Sequence, residues 1–154
     1  MNKANTIRVF LLLSSWLTLF AYPKHSLKKF FPVTSLTSLL VIGMCTLAWP
    51  FNWWRSEGGK WTKLVNDGSF IFGPFFAGTL WIFHVTYGSV KWFIVINTMM
   101  DWLFAYPLNA LFQKLKLYRL IHFSSLKIFC TFMLFSFLIY PLQIVVENRK
   151  RSRI

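Results

Sequence analysis

The sequence predicts an all-α, polytopic membrane bundle of about five transmembrane helices, and three observations indicate this class. Hydrophobic residues make up 56% of the 154-residue chain, whereas charged residues, at 14%, are too few to cover a water-facing surface. The apolar residues fall in blocks of roughly 17 to 23, the length that a helix needs to cross about 30 Å of hydrocarbon. Most basic residues flank these blocks, as loop charges do in membrane proteins.

The predicted spans cover residues 7–22, 31–51, 69–87, 90–112 and 125–146, within a single integral membrane domain over residues 1–154. The first block follows Lys3 and contains Arg8, a basic start that a signal peptide would also have. Because no small-x-small cleavage site follows it, we interpret it as a retained span, with Arg8 extending to the interface. The second span is expected to open at Phe31-Pro32.

The third and fourth spans are predicted to form a tight helical hairpin over residues 69–112. Gly88 suits the left-handed position after a helix C-terminus, so a short turn at Gly88 and Ser89 would join the two helices. The preceding segment, residues 52–68, contains Gly58-Gly59 and is predicted to be a turn. No soluble domain is therefore expected.

A four-span topology is the alternative. In that version residues 76–98 cross the membrane once, and residues 108–121 lie on its surface as an amphipathic helix. The residues facing lipid at helical spacing would be Leu108, Leu111, Phe112, Leu115 and Tyr118.

The basic residues predict contact with anionic lipid headgroups. The net charge is +13, and the basic residues responsible flank the apolar blocks. They form no contiguous soluble face that could follow the phosphates of a nucleic acid, so nucleic-acid binding is not expected. The densest cluster is in the tail, at Arg149, Lys150, Arg151 and Arg153. This tail, with the acidic residues of the 52–68 segment, favours a plasma-membrane protein with a cytoplasmic C-terminus.

The fourth span contains the acidic residue of the predicted apolar blocks, Asp101. Asn97, Asp101 and Asn109 recur at multiples of four residues, so they share one face of a helix. Because a carboxylate or an amide facing lipid is costly, this polar face is expected to point into the bundle.

The third span offers a face of small residues, Ser69, Gly73 and Ala77, which permits close helix approach. Antiparallel pairing about Gly88 would set this face against the polar face. Two prolines at matching depth, Pro74 and Pro107, are expected to kink the hairpin and to free the carbonyls of Phe70 and Leu103 near Asp101.

Asp101 has no basic partner at its depth, and His84 lies too close to the turn to reach it. Three roles follow for the carboxyl group: a hydrogen-bonding link between helices, an ion or proton site, and a docking point for a partner protein. The hydroxyls that could hydrogen-bond to Asp101 in such a link are those of Ser14, Ser15, Thr37, Ser38 and Ser136.

The sequence carries no catalytic constellation, metal-ligand spacing or glycine-rich phosphate loop, so it predicts no enzymatic activity, cofactor or metal. A lipid-active membrane enzyme is the residual enzymatic alternative. The function expected is that of an accessory, assembly or regulatory subunit of a membrane complex, with a membrane protein or a second copy of the chain as partner. The alternative is a small proton- or cation-coupled transporter that uses Asp101.

Overall fold

The computed structural model describes residues 3–56 and 58–151, with side chains as far as Arg149 in the last helix. The described chain is all-α apart from one pair of two-residue strands. The helices are α1 (Lys3–Phe20), α2 (Lys24–Leu47), α3 (Lys60–Phe70), α4 (Phe76–Thr86), α5 (Val90–Leu103), α6 (Asn109–Lys114) and α7 (Ser125–Arg151). A π-helical turn, π1 (Ile71–Phe75), joins α3 to α4, and a second, π2 (Phe104–Leu108), joins α5 to α6.

The helices run back and forth between two ends of one bundle. At one end, here the strand end, β1 (Trp54–Arg55) pairs antiparallel with β2 (Arg119–Leu120). At the other, the turn end, the Nζ atom of Lys29 on α2 lies 2.9 Å from Oε1 of Glu147 on α7, and the hydroxyl of Tyr87 donates to the same carboxylate. Within the described residues the chain passes between these ends five times, counting α3–π1–α4 and α5–π2–α6 as one passage each.

Three helices in the described part of the chain are long and apolar enough to cross a membrane: Lys24–Leu47, Lys60–Thr86 and Ser125–Arg149. The protein therefore has the properties of a membrane protein. Large apolar side chains on the outer face of the bundle, such as Trp92 and Phe137, are more than half exposed, as expected of a surface that meets lipid.

Two groups of buried apolar residues fill the bundle. The group nearer the strand end includes Phe70, Phe112 and Leu117, and the group nearer the turn end includes Leu80 and Phe83, both fully buried. Both groups contain several aromatic rings in contact, with those of Phe70 and Phe112 centred 4.9 Å apart. Ring packing therefore supplies much of the contact between helices.

Two helices begin well before the spans that the sequence predicted. Helix α2 begins at Lys24, directly after Pro23, and includes Pro32, so it starts seven residues before the predicted span. Residues 60–68, predicted as part of a turn, belong to α3, which starts after Gly59 at a φ of 89°. The polar residues of α3 that suggested a loop, Asn66 and Asp67, are buried against partners from other elements.

The four-span alternative is also wrong in two respects. The helix does not continue from residue 76 to residue 98, because Gly88 has a φ of 97° and ends α4, as the hairpin prediction required. Phe112 and Tyr118, which that version turned toward lipid, are buried in the bundle.

Candidate functional site

The polar face of α5 turns inward toward α7. The Nδ2 group of Asn97 donates to Oδ2 of Asp101 at 2.7 Å and also to Oγ of Ser136 on α7. Ser136, one of the predicted hydroxyls, accepts this bond from Asn97 and donates its own hydroxyl proton to the Phe132 carbonyl at 2.9 Å. Asn97 and Ser136 are buried, and Asp101 is half-buried. The three side chains therefore form one network that links α5 to α7.

A cavity of about 140 Å³ lies beside this network, between α2, α4, α5 and α7. Its polar lining comes from Asp101, Asn97 and Ser136, together with Thr37 and Thr79. Pro74 also lines this cavity, so the kinked part of the third passage lies near the carboxyl group, as the antiparallel register predicted. A cavity of this size has room for water molecules beside these polar groups.

Asn109 belongs to a second network, nearer the strand end. Its Nδ2 group donates to the Ser125 hydroxyl at 3.0 Å, and its Oδ1 atom accepts from the Tyr118 hydroxyl at 2.7 Å. Burial, reinforced by the Asp67 carboxylate, raises the pKa of the Tyr118 phenol, so the hydroxyl remains a proton donor. The residues of the predicted polar face thus all point inward, but Asn109 is not part of the Asp101 network.

Both prolines lie in π-helical turns, and these turns determine which carbonyls are free. In π1 the Phe76 amide donates to the Ile71 carbonyl, five residues earlier, and in π2 the Asn109 amide donates to the Phe104 carbonyl. Pro74 and Pro107 are accommodated because, in each turn, a backbone amide bonds to the carbonyl five residues earlier instead of four.

Side chains complete the backbone hydrogen bonding at these turns. The indole of Trp16 donates to the Phe72 carbonyl at 2.9 Å, and Asn109 Nδ2 donates to the Ala105 carbonyl at 3.1 Å. The carbonyls that receive these side chains are therefore not those of Phe70 and Leu103, which a simple α-helical count predicted.

Of the predicted small-residue face, Gly73 packs against α1, whereas the sequence predicted a contact with α5. A methyl group placed on Gly73 would lie 3.2 Å from the Leu12 Cα atom, and Ala77 borders a groove lined by both α1 and α5, including Thr18 and Met100. Ser69 lies on the exposed side of α3, where its hydroxyl donates to its own helix. The twist introduced at π1, where Gly73 has a φ of −97° and a ψ of −108°, separates this face from the side that reaches Asp101.

A buried polar cluster at the strand end was not predicted. Arg8, expected to extend to the interface, is 2% exposed and donates to Asn66 Oδ1 at 3.0 Å, to Asn5 Oδ1 at 2.6 Å and to the Leu117 carbonyl at 3.1 Å. It joins α1, α3 and the connection between α6 and α7. The prediction failed because residues 60–68 were not recognised as helical.

Near Arg8, a buried ion pair within α3 also accepts a hydrogen bond from β1. Lys63 Nζ lies 3.5 Å from Asp67 Oδ2, and the Trp54 indole donates to Asp67 Oδ1 at 3.1 Å. The spacing of Lys63 and Asp67, four residues apart, could have indicated a helix face in the sequence.

The basic tail continues the last helix. Helix α7 extends to Arg151, so Arg149, Lys150 and Arg151 lie on its final turn. The side chains of Lys150 and Arg151 and the whole of Arg153 lie outside the described residues. Contact of these residues with anionic lipid remains a prediction.

Among the residues that the structure describes, no group of three or more His, Cys, Asp and Glu side chains could hold a metal ion. No protein-family model matches the chain, no curated protein is significantly similar to its sequence, and no solved structure is significantly similar to its fold.

Proposed function

We propose that the chain is a five-span plasma-membrane protein that acts as an accessory, assembly or regulatory subunit of a larger membrane complex. The observation that carries this proposal is the Asn97–Asp101–Ser136 network. A carrier uses intramembrane polar groups to hold its cargo, whereas here these groups bond to one another across two helices. This pairing favours a structural role for the carboxyl group.

The five passages of the bundle support five spans. In that topology the connections at the strand end face one side of the membrane, and the turn end faces the cytoplasm with the C-terminus. Single cysteines placed at Lys116 and Arg149 test this arrangement with a membrane-impermeant thiol reagent, after Cys45 and Cys130 are replaced. Labelling of both positions from the same side would contradict five spans.

The test of the accessory role is purification of the tagged, full-length chain in a mild detergent. We expect a membrane protein to co-purify at fixed stoichiometry, and its abundance in the membrane to fall when this chain is deleted. Elution of the chain alone, with no other membrane protein changed in abundance by the deletion, would contradict the proposal.

A second candidate is a proton- or cation-coupled transporter, and the cavity of about 140 Å³ beside Asp101 favours it. Its hydroxyl and amide lining could solvate a small cation. This function requires flux in reconstituted liposomes that depends on a pH or cation gradient and is lost in Asp101→Asn.

A further inference from the structure

An open groove of about 450 Å³ lies on the outer side of the bundle, between α1, α4 and α5. Four residues line both this groove and the cavity of about 140 Å³ beside Asp101, namely Pro74, Gly78, Ile82 and Met100. Gly78 carries no side chain, and a methyl group placed on it would meet no other part of the fold within 4 Å. Met100, on α5, is 40% exposed. A side chain that enters the groove between Gly78 and Met100 therefore reaches the edge of the Asp101 cavity.

The described polar side chains of the cavity offer hydrogen-bond acceptors, because their donors are already used. The hydroxyls of Thr37, Thr79 and Ser136 each donate to the carbonyl four residues earlier in the chain, at 2.8, 2.9 and 2.9 Å. The Nδ2 group of Asn97 donates to Asp101 and Ser136. A hydroxyl has one proton and two acceptor positions, so these groups present oxygen lone pairs to the cavity. The cavity therefore suits an occupant that donates hydrogen bonds.

The groove has the same polarity. The Ser14 and Ser15 hydroxyls both donate to the Leu11 carbonyl, at 3.2 and 2.7 Å. The Thr18 hydroxyl donates to the Ser15 carbonyl and accepts from the Trp81 indole at 3.3 Å. An occupant of the groove therefore meets oxygen acceptors on α1 and mainly apolar side chains on α4 and α5.

The carboxyl group of Asp101 makes a cation the donor that best complements the cavity. A carboxylate has about four acceptor positions, and the Asn97 amide fills one of those on Asp101. The ion pairs between described side chains lie at the two ends of the bundle and do not include Asp101. An ammonium group donates to carboxylate and hydroxyl oxygens through charge-assisted hydrogen bonds, which are about twice as strong as neutral ones.

The location of the groove indicates how the cation arrives. The groove lies along Lys60–Thr86, a segment long and apolar enough to cross a membrane, and Val85 in its lining is 65% exposed. A free hydrated cation is strongly disfavoured in hydrocarbon, whereas a membrane helix can carry a basic residue that pairs with a carboxyl group of its neighbour. Lysine suits the cavity because its compact ammonium group lies at the end of a flexible four-carbon stem.

A second copy of the chain does not supply this group at the required depth. Every described lysine and arginine lies in a connection, in a strand or within six residues of the end of its helix. We propose that the groove docks a transmembrane helix of a partner protein, and that a lysine near the middle of that helix places its ammonium group in the Asp101 cavity. The inference rests on the proposed accessory role and specifies the chemistry of the partner.

The test uses the full chain in liposomes and a synthetic transmembrane helix of leucine and alanine with one central lysine. Energy transfer from the tryptophans of the chain to a dansyl group on the peptide measures binding. We expect the lysine peptide to bind about tenfold more tightly than the same peptide with a central leucine, and Asp101→Asn to remove this preference, because a charge-assisted hydrogen bond is lost.

A glycine pair provides the matched control. Gly78→Leu fills the opening between groove and cavity, so it should weaken binding of the lysine peptide about tenfold through loss of the same hydrogen bond. Gly43→Leu, on α2, also adds a side chain where a methyl group meets no neighbour within 4 Å, but Gly43 lines neither the groove nor the cavity. This variant should leave peptide binding unchanged.

Three results would overturn the proposal. Equal binding of the lysine and leucine peptides would contradict recognition of an ammonium group. Unchanged binding of the lysine peptide by Gly78→Leu would exclude the groove as the docking surface. Self-association of the full chain that Gly78→Leu abolishes would assign the groove to a second copy. Each of these results leaves the accessory role standing if a membrane protein still co-purifies with the chain, whereas that role fails separately when no protein co-purifies.

Discussion

Replacement of Arg8 by methionine should destabilise the strand end of the bundle. Methionine retains most of the side-chain volume but leaves two buried acceptors, Asn66 Oδ1 and the Leu117 carbonyl, without a donor. Each unpaired buried group costs about 1–3 kcal/mol, and release of the desolvated guanidinium offsets part of that cost. We therefore expect a loss of about 3 kcal/mol in the free energy of unfolding.

The assay is thermal unfolding of the purified protein in detergent, followed by tryptophan fluorescence. A loss of about 3 kcal/mol corresponds to a midpoint roughly 6–12 °C lower for a chain of this size. Lys3→Met, which removes an exposed charge from the same helix, should shift the midpoint little. Equal midpoints for Arg8→Met and the wild type would refute the interpretation of Arg8 as a buried connection between three elements.

Three further substitutions test the connections at the ends of the bundle. Gly58→Ala should destabilise the entry into α3 by about 1–3 kcal/mol, because a Cβ atom would lie 2.5 Å from Thr62 Oγ1 and the residue has a φ of 107°. Gly59→Ala, with open space around it and a φ of 89°, should cost less, and the reverse order in thermal unfolding would contradict this conformation. Glu147→Gln weakens the ion pair with Lys29. Because the side chains of Lys29 and Glu147 are 28% and 29% exposed, the free energy of unfolding should fall by at most about 1 kcal/mol in a chemical denaturation series. A loss above 2 kcal/mol would show that this pair is less screened than its exposure indicates.

Composition and the length of apolar blocks were sufficient to predict a helical membrane bundle, and the positive φ of Gly88 confirms the predicted hairpin turn. These features depend on local physics, namely the hydrocarbon thickness and the conformational freedom of glycine. The inward direction of Asn97 and Asp101 followed from the cost of placing such groups against lipid.

The remaining features depend on tertiary contacts, which hydropathy does not report. Residues 60–68 look like a loop because Lys63, Asn66 and Asp67 are polar, but each is buried beside a group from another part of the fold or from its own helix. The burial of Arg8 was not predicted because its partners, Asn66 and Leu117, come from distant parts of the sequence. The direction of Gly73 was not predicted because a π-helical turn rotates one half of the helix relative to the other. Residue spacing alone does not indicate where a proline will produce such a turn.

The accessory role is tested most directly by measuring flux and stability of the wild type and Asp101→Asn in parallel. Wild-type protein in liposomes should carry no proton or cation flux above that of empty liposomes, at any imposed gradient. The Asp101→Asn variant should instead change the thermal unfolding midpoint, because its amide alters the hydrogen bond that Asp101 accepts from Asn97. Gradient-driven flux in the wild type that disappears in Asp101→Asn, with the unfolding midpoint unchanged, would contradict the account and identify the chain as a carrier.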